Sequence, residues 1–291
     1  MRRKWPVLSA AIPLAFGWAL VAAHPAAASV RDGLPGSGGQ VQPGGPVSQL
    51  SQPGGDFPGA PTGIVTSQAS SSPSATSGGQ NTSVSSSNWA GYAATGAAGS
   101  FTSVSASWTQ PTATCTAGSQ YAAFWVGLDG YASKTVEQIG TEADCSGPTP
   151  QYYAWYEVYP GAGVNFANPV SPGDKFTGTV TSQGGGKFQL VLKDTTKGWT
   201  QTINATEAGA DLSSAEAIAE APSSTTGDSS VLPLTDFGSV GFTGVTADGK
   251  SMDTFDPVQI TMPDTSVADM ASDGSFTVNY TGTGFAQWLG F

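Results

Sequence analysis

From Val84 onward the chain alternates apolar and polar positions in short runs closed by Gly, Pro, Asn or Asp. The runs are NWAGYAATG, SFTSVSASWTQP, YAAFWVGLDG, TVEQIG, YYAWYEVYP, KFTGTVTS, KFQLVLKDTT, GWTQTINAT, VGFTGVTAD, VQITM and SFTVNYTG. A period of two with Val, Thr and aromatic enrichment marks strands with one face buried. KFTGTVTSQGGGKFQLVLKD reads as a hairpin, and Asp248-Gly249 as a tight turn between two strands. Regular short strands with turn signals predict an all-β sandwich, with residues 83–291 as one domain.

One segment resists this pattern. Propensity over Ser213-Ser214-Ala215-Glu216-Ala217-Ile218-Ala219-Glu220-Ala221 favours a helix, and Ser213 with Glu216 spells a capping box. As a strand, the same residues would put Glu216, Ile218 and Glu220 on one face and the alanines on the other.

Ahead of the alternating region the pattern is different. Met1-Arg2-Arg3-Lys4 is a basic start, an uncharged apolar run leads on to Ala23, and Ala26-Ala27-Ala28 fits a small-residue cleavage site. Residues 1–28 are therefore expected to be a signal peptide and the protein to be secreted. Residues 29–82 are dominated by Gly, Pro, Ser and Gln, a composition that buries too little apolar surface to offset chain entropy. They are expected to be disordered, as a linker or as a prosegment.

Cleavage after Ala28 would remove three cationic residues and take the formal net charge from −11 to −14. Such an acidic protein has no bulk attraction for nucleic acid or for an anionic membrane surface. Cleavage would also remove His24, the one histidine of the chain. Ser-His-Asp and Cys-His catalysis and imidazole-ligated zinc are then excluded, and no metal or other cofactor is expected. Chemistry has to come from carboxylates, amides, hydroxyls or lysines. The two cysteines, Cys115 and Cys145, are expected to pair in an exported chain, closing a loop around FWVGLDG and VEQIG.

Familiar motifs fail on their surroundings. Gly244 to Ser251 matches G-x-x-x-x-G-K-[ST], but a phosphate loop needs a helix starting at the lysine, and SMDTFDP comes next instead. Asp129, Asp248 and Asp273 stand in DG pairs without the D-[TS]-G of pepsin-type sites, and neither G-x-S-x-G nor S-x-x-K occurs. Two residues of Tyr121–Pro160 stand out. Gln138 is an amide among apolar neighbours, and Glu157 would share a strand face with Trp155 and Tyr159. A carboxylate on an aromatic face is costly unless it is paired or lines a cleft.

Taken together, Ser87-Asn88-Trp89-Ala90-Gly91, Trp125-Val126-Gly127-Leu128-Asp129-Gly130, Glu137-Gln138-Ile139-Gly140, Tyr153-Ala154-Trp155-Tyr156-Glu157 and Ala215-Glu216-Ala217-Ile218-Ala219-Glu220 resemble the glutamic peptidases, or eqolisins, in order and spacing. The resemblance covers about Val84 to Asp248. It implies a concanavalin-like β-sandwich of two curved antiparallel sheets with a substrate cleft on the concave face. It further implies a catalytic Gln138 and Glu220, with Trp89, Trp125, Asp129, Trp155 and Glu157 around the cleft. It requires a strand, not a helix, over 215–220. In that element Ala217 and Ala219 replace the bulkier apolar residues usual in the family, which raises the question of how the strand packs.

The implied activity is endopeptidase cleavage of polypeptides in acid, by a monomer, where an ordinary glutamate with pKa near 4.3 titrates in the working range. Two other readings fit the aromatics alone. A glycosidase would use Glu157 and Glu220 as a carboxyl pair roughly 5–9.5 Å apart. A carbohydrate-binding module would use the aromatics as a platform without catalysis.

Overall fold

The computed structural model describes residues 82–223 and 231–282. The expected signal peptide, and the Gly/Pro/Ser-rich segment apart from Thr82, lie outside the described residues. Those described form two sheets, one 3-10 turn at Met252–Phe255 and no α-helix.

The first sheet contains β1 (Ser83–Ser85), β2 (Trp89–Thr95), β4 (Ser119–Gln120), β5 (Ala123–Leu128), β6 (Val136–Ser146), β7 (Thr149–Tyr159), β8 (Val164–Asn165), β12 (Ser214–Glu220) and β15 (Val258–Thr261). Its order is β1-β15-β2-β12-β5-β6-β7-β8, with β4 beside β6. The second sheet contains β3 (Ser103–Thr109), β9 (Lys175–Gly184), β10 (Lys187–Asp194), β11 (Trp199–Thr206), β13 (Ser239–Ala247), β14 (Lys250–Ser251), β16 (Thr265–Val267) and β17 (Phe276–Tyr280). Its order is β11-β10-β9-β3-β13-β17-β16, with β14 beside β13. Apart from the parallel β1–β15 pair, neighbours run antiparallel. This is the expected sandwich. The β9–β10 hairpin forms as expected, and the G-K-S segment is the β13–β14 turn, with Asp248 and Gly249 both at positive φ.

Helix propensity loses at β12. The segment is a central strand between β2 and β5, so both its edges pair and its backbone groups are satisfied by the ladder. Tertiary context overrides the alanine-rich propensity here. Its alternation is the one expected of a strand: Ala215, Ala217 and Ala219 enter the main core between the sheets, whereas Ile218 joins a second cluster on the outer face. The alanines fit because the strands beside them supply the bulk. Ala217 lies opposite Tyr92 and Val126, and Ala219 lies opposite Phe124.

On that outer face of the first sheet, Trp89, Ala93, Ala123, Trp125, Val136, Trp155, Ile218, Val258 and Ile260 form one apolar cluster, separate from the inter-sheet core. The Cys115–Cys145 disulfide closes the segment that carries β5 and most of β6.

Candidate active site

Strand alternation places the functional side chains. On β6, Ile139 faces the core and Val136 the outer cluster, so Gln138 faces outward. On β7, Trp155 is in the outer cluster and Glu157 takes the next outward position; on β12, Glu220 stands in the same relation to Ile218. All three polar side chains are buried.

Register arranges them in two rows. Glu220 lies between Trp89 of β2 and Ala123 of β5, and Ala123 in turn faces Glu142 of β6, which faces Tyr153. Four residues along β5, a second row runs Glu216, Gly127, Gln138, Glu157. Between the rows lies Trp125, flanked by Ile218 and Gly140.

The Trp125 indole ties the rows together. Its Nε1 donates to Glu220 Oε2 at 2.8 Å, while a Cβ on Gly127 would come within 2.8 Å of Cζ3 of its benzo ring. A Cβ on Gly140 would lie 2.6 Å from Trp125 Cβ and 2.3 Å from the Phe124 carbonyl oxygen. The glycines of the WVG and Q-x-G motifs are thus the room this side chain needs. Trp89 meets the same indole edge to face, with centroids 4.9 Å apart.

Both Glu220 oxygens are held, Oε2 by Trp125 and Oε1 by Asn88 Nδ2 at 3.0 Å. Burial pushes the Glu220 carboxyl well above the usual carboxylate range. The Trp125 donor opposes this first, the Glu157 charge adds to the rise, and Trp89 and Asn88 favour the ionised form. Trp89 does so without an ordinary hydrogen bond from its Nε1. The sequence-based expectation of an ordinary glutamate is corrected here: desolvation dominates.

Gln138 Nε2 donates to Glu157 Oε2 at 2.7 Å, which sets the orientation of the amide. Trp155 is buried beside this pair on the outer face. Asp129 has a different employment. At φ 66 it ends β5, and its carboxylate accepts from Leu212 N (2.7 Å), Ser213 N (2.9 Å) and Ser213 Oγ (3.2 Å). It fastens the turn that delivers β12, and with it Glu220.

Sequence reasoning passed over Asn88, although it stands inside the SNWAG motif. It also passed over Glu142 and Asp144, whose even spacing from Gln138 puts them on the same face of β6. Burial, with the Asp144 charge beside it, raises Glu142 well above the ordinary range. Burial likewise raises Asp144, to about 7, while Tyr153 donates its hydroxyl to Asp144 Oδ2. Among the described residues no group of His, Cys, Asp and Glu side chains is arranged to hold a metal ion.

The comparisons with known proteins bear on the family and the fold. The model of the Peptidase A4 family matches residues 87–284. A crystal structure of scytalido-glutamic peptidase with a peptide-based transition-state analog is 27% identical, with a TM-score of 0.57, over 67% of this chain and 98% of that one. SCP-B, described as a member of the eqolisin family and solved with the tripeptide Ala-Ile-His, is 26% identical with a TM-score of 0.55 over the same shares. No curated protein matches the chain. The sandwich and the family match over most of the sequence converge: this chain belongs to the Peptidase A4 family, the glutamic peptidases, and is an endopeptidase of that kind.

Proposed function

We propose that this peptidase is a secreted, monomeric acid endopeptidase whose catalytic pair is Glu220 and Gln138. The observation that carries the reading is the Glu220 carboxylate, buried, oriented at both oxygens by neutral N–H donors, and sharing an outer sheet face with a fixed Gln138 amide. Neutral donors orient a carboxylate without taking its proton-accepting role, which suits a general base.

In the forward step the ionised form of Glu220, a minority in acid because burial raises its carboxyl, takes a proton from water, and the resulting hydroxide attacks the scissile carbonyl carbon. The carbonyl π electrons move onto oxygen, and the Gln138 amide donates to that oxyanion. The bond from its Nε2 to Glu157 fixes the amide that is assigned to the oxyanion. Collapse of the tetrahedral intermediate breaks the C–N bond as Glu220 returns its proton to nitrogen. An amide suits this position because it donates at any pH and brings no negative charge to the oxyanion. Trp89, Trp125 and Trp155 would wall the substrate cleft, with Glu157 and Asp129 acting through Gln138 and the β12 turn.

Cleavage of denatured casein at pH 3–5 by wild type, Gln138→Ala and Glu220→Ala tests the reading. Glu220→Ala is expected to abolish cleavage, and Gln138→Ala to lower it by about 10²–10³. Equal cleavage by wild type and Glu220→Ala would sink the assignment.

A further inference from the structure

Asn88 precedes β2 and is buried, yet its side chain reaches across to the end of β12, where Nδ2 donates to Glu220 Oε1 at 3.0 Å. The network around it decides which way the amide faces. Ser86 Oγ accepts from the backbone N–H of Asn88 (3.3 Å) and of Trp89 (3.1 Å), so its one proton is available to Asn88 Oδ1 at 3.4 Å. Ser87 Oγ donates to the same Oδ1, also at 3.4 Å. Two hydroxyls thus claim the carbonyl end, and the NH₂ end is left for the carboxylate. The backbone carbonyl of Asn88 accepts from Ala221 N at 2.9 Å, which locks the residue to the strand end that carries Glu220.

We propose that Asn88 is a positioning residue of the peptidase reaction, holding the Glu220 carboxylate by Oε1 as Trp125 holds it by Oε2. The proposal rests on the assignment of Glu220 as the base. Two carboxyls share the outer face with Glu220 from farther along the sheet, Glu142 on β6 and Glu157 on β7; the Glu157 charge disfavours the ionised form of Glu220, and Glu220 in turn raises Glu142. The indoles of Trp89 and Trp125 face it from β2 and β5. The N–H donors Trp125, Trp89 and Asn88 offset the Glu157 charge and the burial. An amide is therefore needed at position 88, and a carboxyl there would set a third acid 3.0 Å from the base.

The test compares wild type, Asn88→Ala and the near-isosteric Asn88→Asp by the pH profile of kcat/KM and by ¹³C titration of the Glu220 carboxyl. Asn88→Ala is expected to raise the Glu220 titration and the acid limb by about one pH unit. Asn88→Asp is expected to raise both further, because adjacent carboxyls cannot both ionise freely. KM should change little. An unmoved titration in either folded variant, or a rate loss uniform across pH, overturns the proposal. The variants are read against Glu220→Gln. If Glu220→Gln retains activity while the Asn88 variants still shift the titration, it is the assignment of Glu220 as base that fails, not the role of Asn88 on its carboxylate.

Discussion

Trp125 Nε1 lies 2.8 Å from Glu220 Oε2, so the best buried donor to the proposed base is also a wall of the proposed cleft. The two duties can be separated. Trp125→Phe keeps a flat ring over Gly127 and removes the N–H. Losing that donor leaves burial and the Glu157 charge less opposed, so the Glu220 carboxyl should titrate higher. The expected result is an acid limb of kcat/KM raised by about one pH unit or more, with tenfold or greater loss below the limb and partial recovery above it. A pH–rate series on one peptide substrate measures this; a loss carried wholly by KM would instead make Trp125 a contact for substrate alone.

Gly140 is the glycine of the Q-x-G motif, and its constraint is steric, not conformational. An added Cβ would meet the Phe124 carbonyl oxygen at 2.3 Å and Trp125 Cβ at 2.6 Å, both backbone-fixed. Gly140→Ala must therefore push β6 from β5 or swing the indole off Glu220. A cost of about 2–3 kcal/mol is expected, in the usual range for overpacking a tight site. Denaturant melts monitored by tryptophan fluorescence would register both the lost stability and the moved ring. Activity should fall further than the folded fraction does.

These two residues show what was legible in the sequence and what was not. Period-two alternation located the long strands, because one face of each buries against the other sheet and the other carries polar side chains or the second apolar cluster. It failed at β12, where alanine and glutamate favour a helix and the deciding force, pairing on both edges, comes from β2 and β5 far away in sequence. Only the likeness to a known family recovered that strand. The short strands β1, β4, β8, β14 and β16 carry too few residues to show any period. In the site, residue types and strand alternation singled out Gln138 and Glu157; Glu220, and its pairing with Gln138, came only from the likeness to the family. The raised carboxyls did not show, because desolvation depends on what covers a side chain. Nor did the duty of Asp129, since its partners Leu212 and Ser213 are more than eighty residues away.

The Cys115–Cys145 bridge closes a loop with a sequence separation of 30 that includes the Trp125 and Gln138 strands. Constraint of the unfolded chain by such a loop contributes roughly 3–4 kcal/mol. Replacing both cysteines by serine should lower the urea midpoint accordingly. Residual folded enzyme should keep its kcat, because neither sulfur touches the Glu220 or Gln138 rows. A large fall in kcat with an unchanged midpoint would show that the bridge shapes the site instead of restraining the unfolded chain.

The buried carboxyls set how stability depends on pH. Burial raises Glu137 to about 9 and Asp144 to about 7, and lifts Glu142, Glu216 and Glu220 well above the ordinary range. For each, the folded state favours the protonated form, whereas the unfolded chain ionises near pH 4 to 4.5. The unfolded state then binds fewer protons at any pH between the two values, so stability falls as pH rises. It is fully present below about pH 4 and is lost progressively through 7 and on to 9. Melting temperature should therefore decline steadily from about pH 4 to about pH 8, the reverse of ordinary acid denaturation. Glu142→Gln tests the source, because a neutral amide of similar size cannot ionise. It is expected to melt like wild type at about pH 4 and higher than wild type at about pH 8. A melting temperature that rises toward neutral pH in wild type would mean these carboxyls ionise in the folded protein and find partners there.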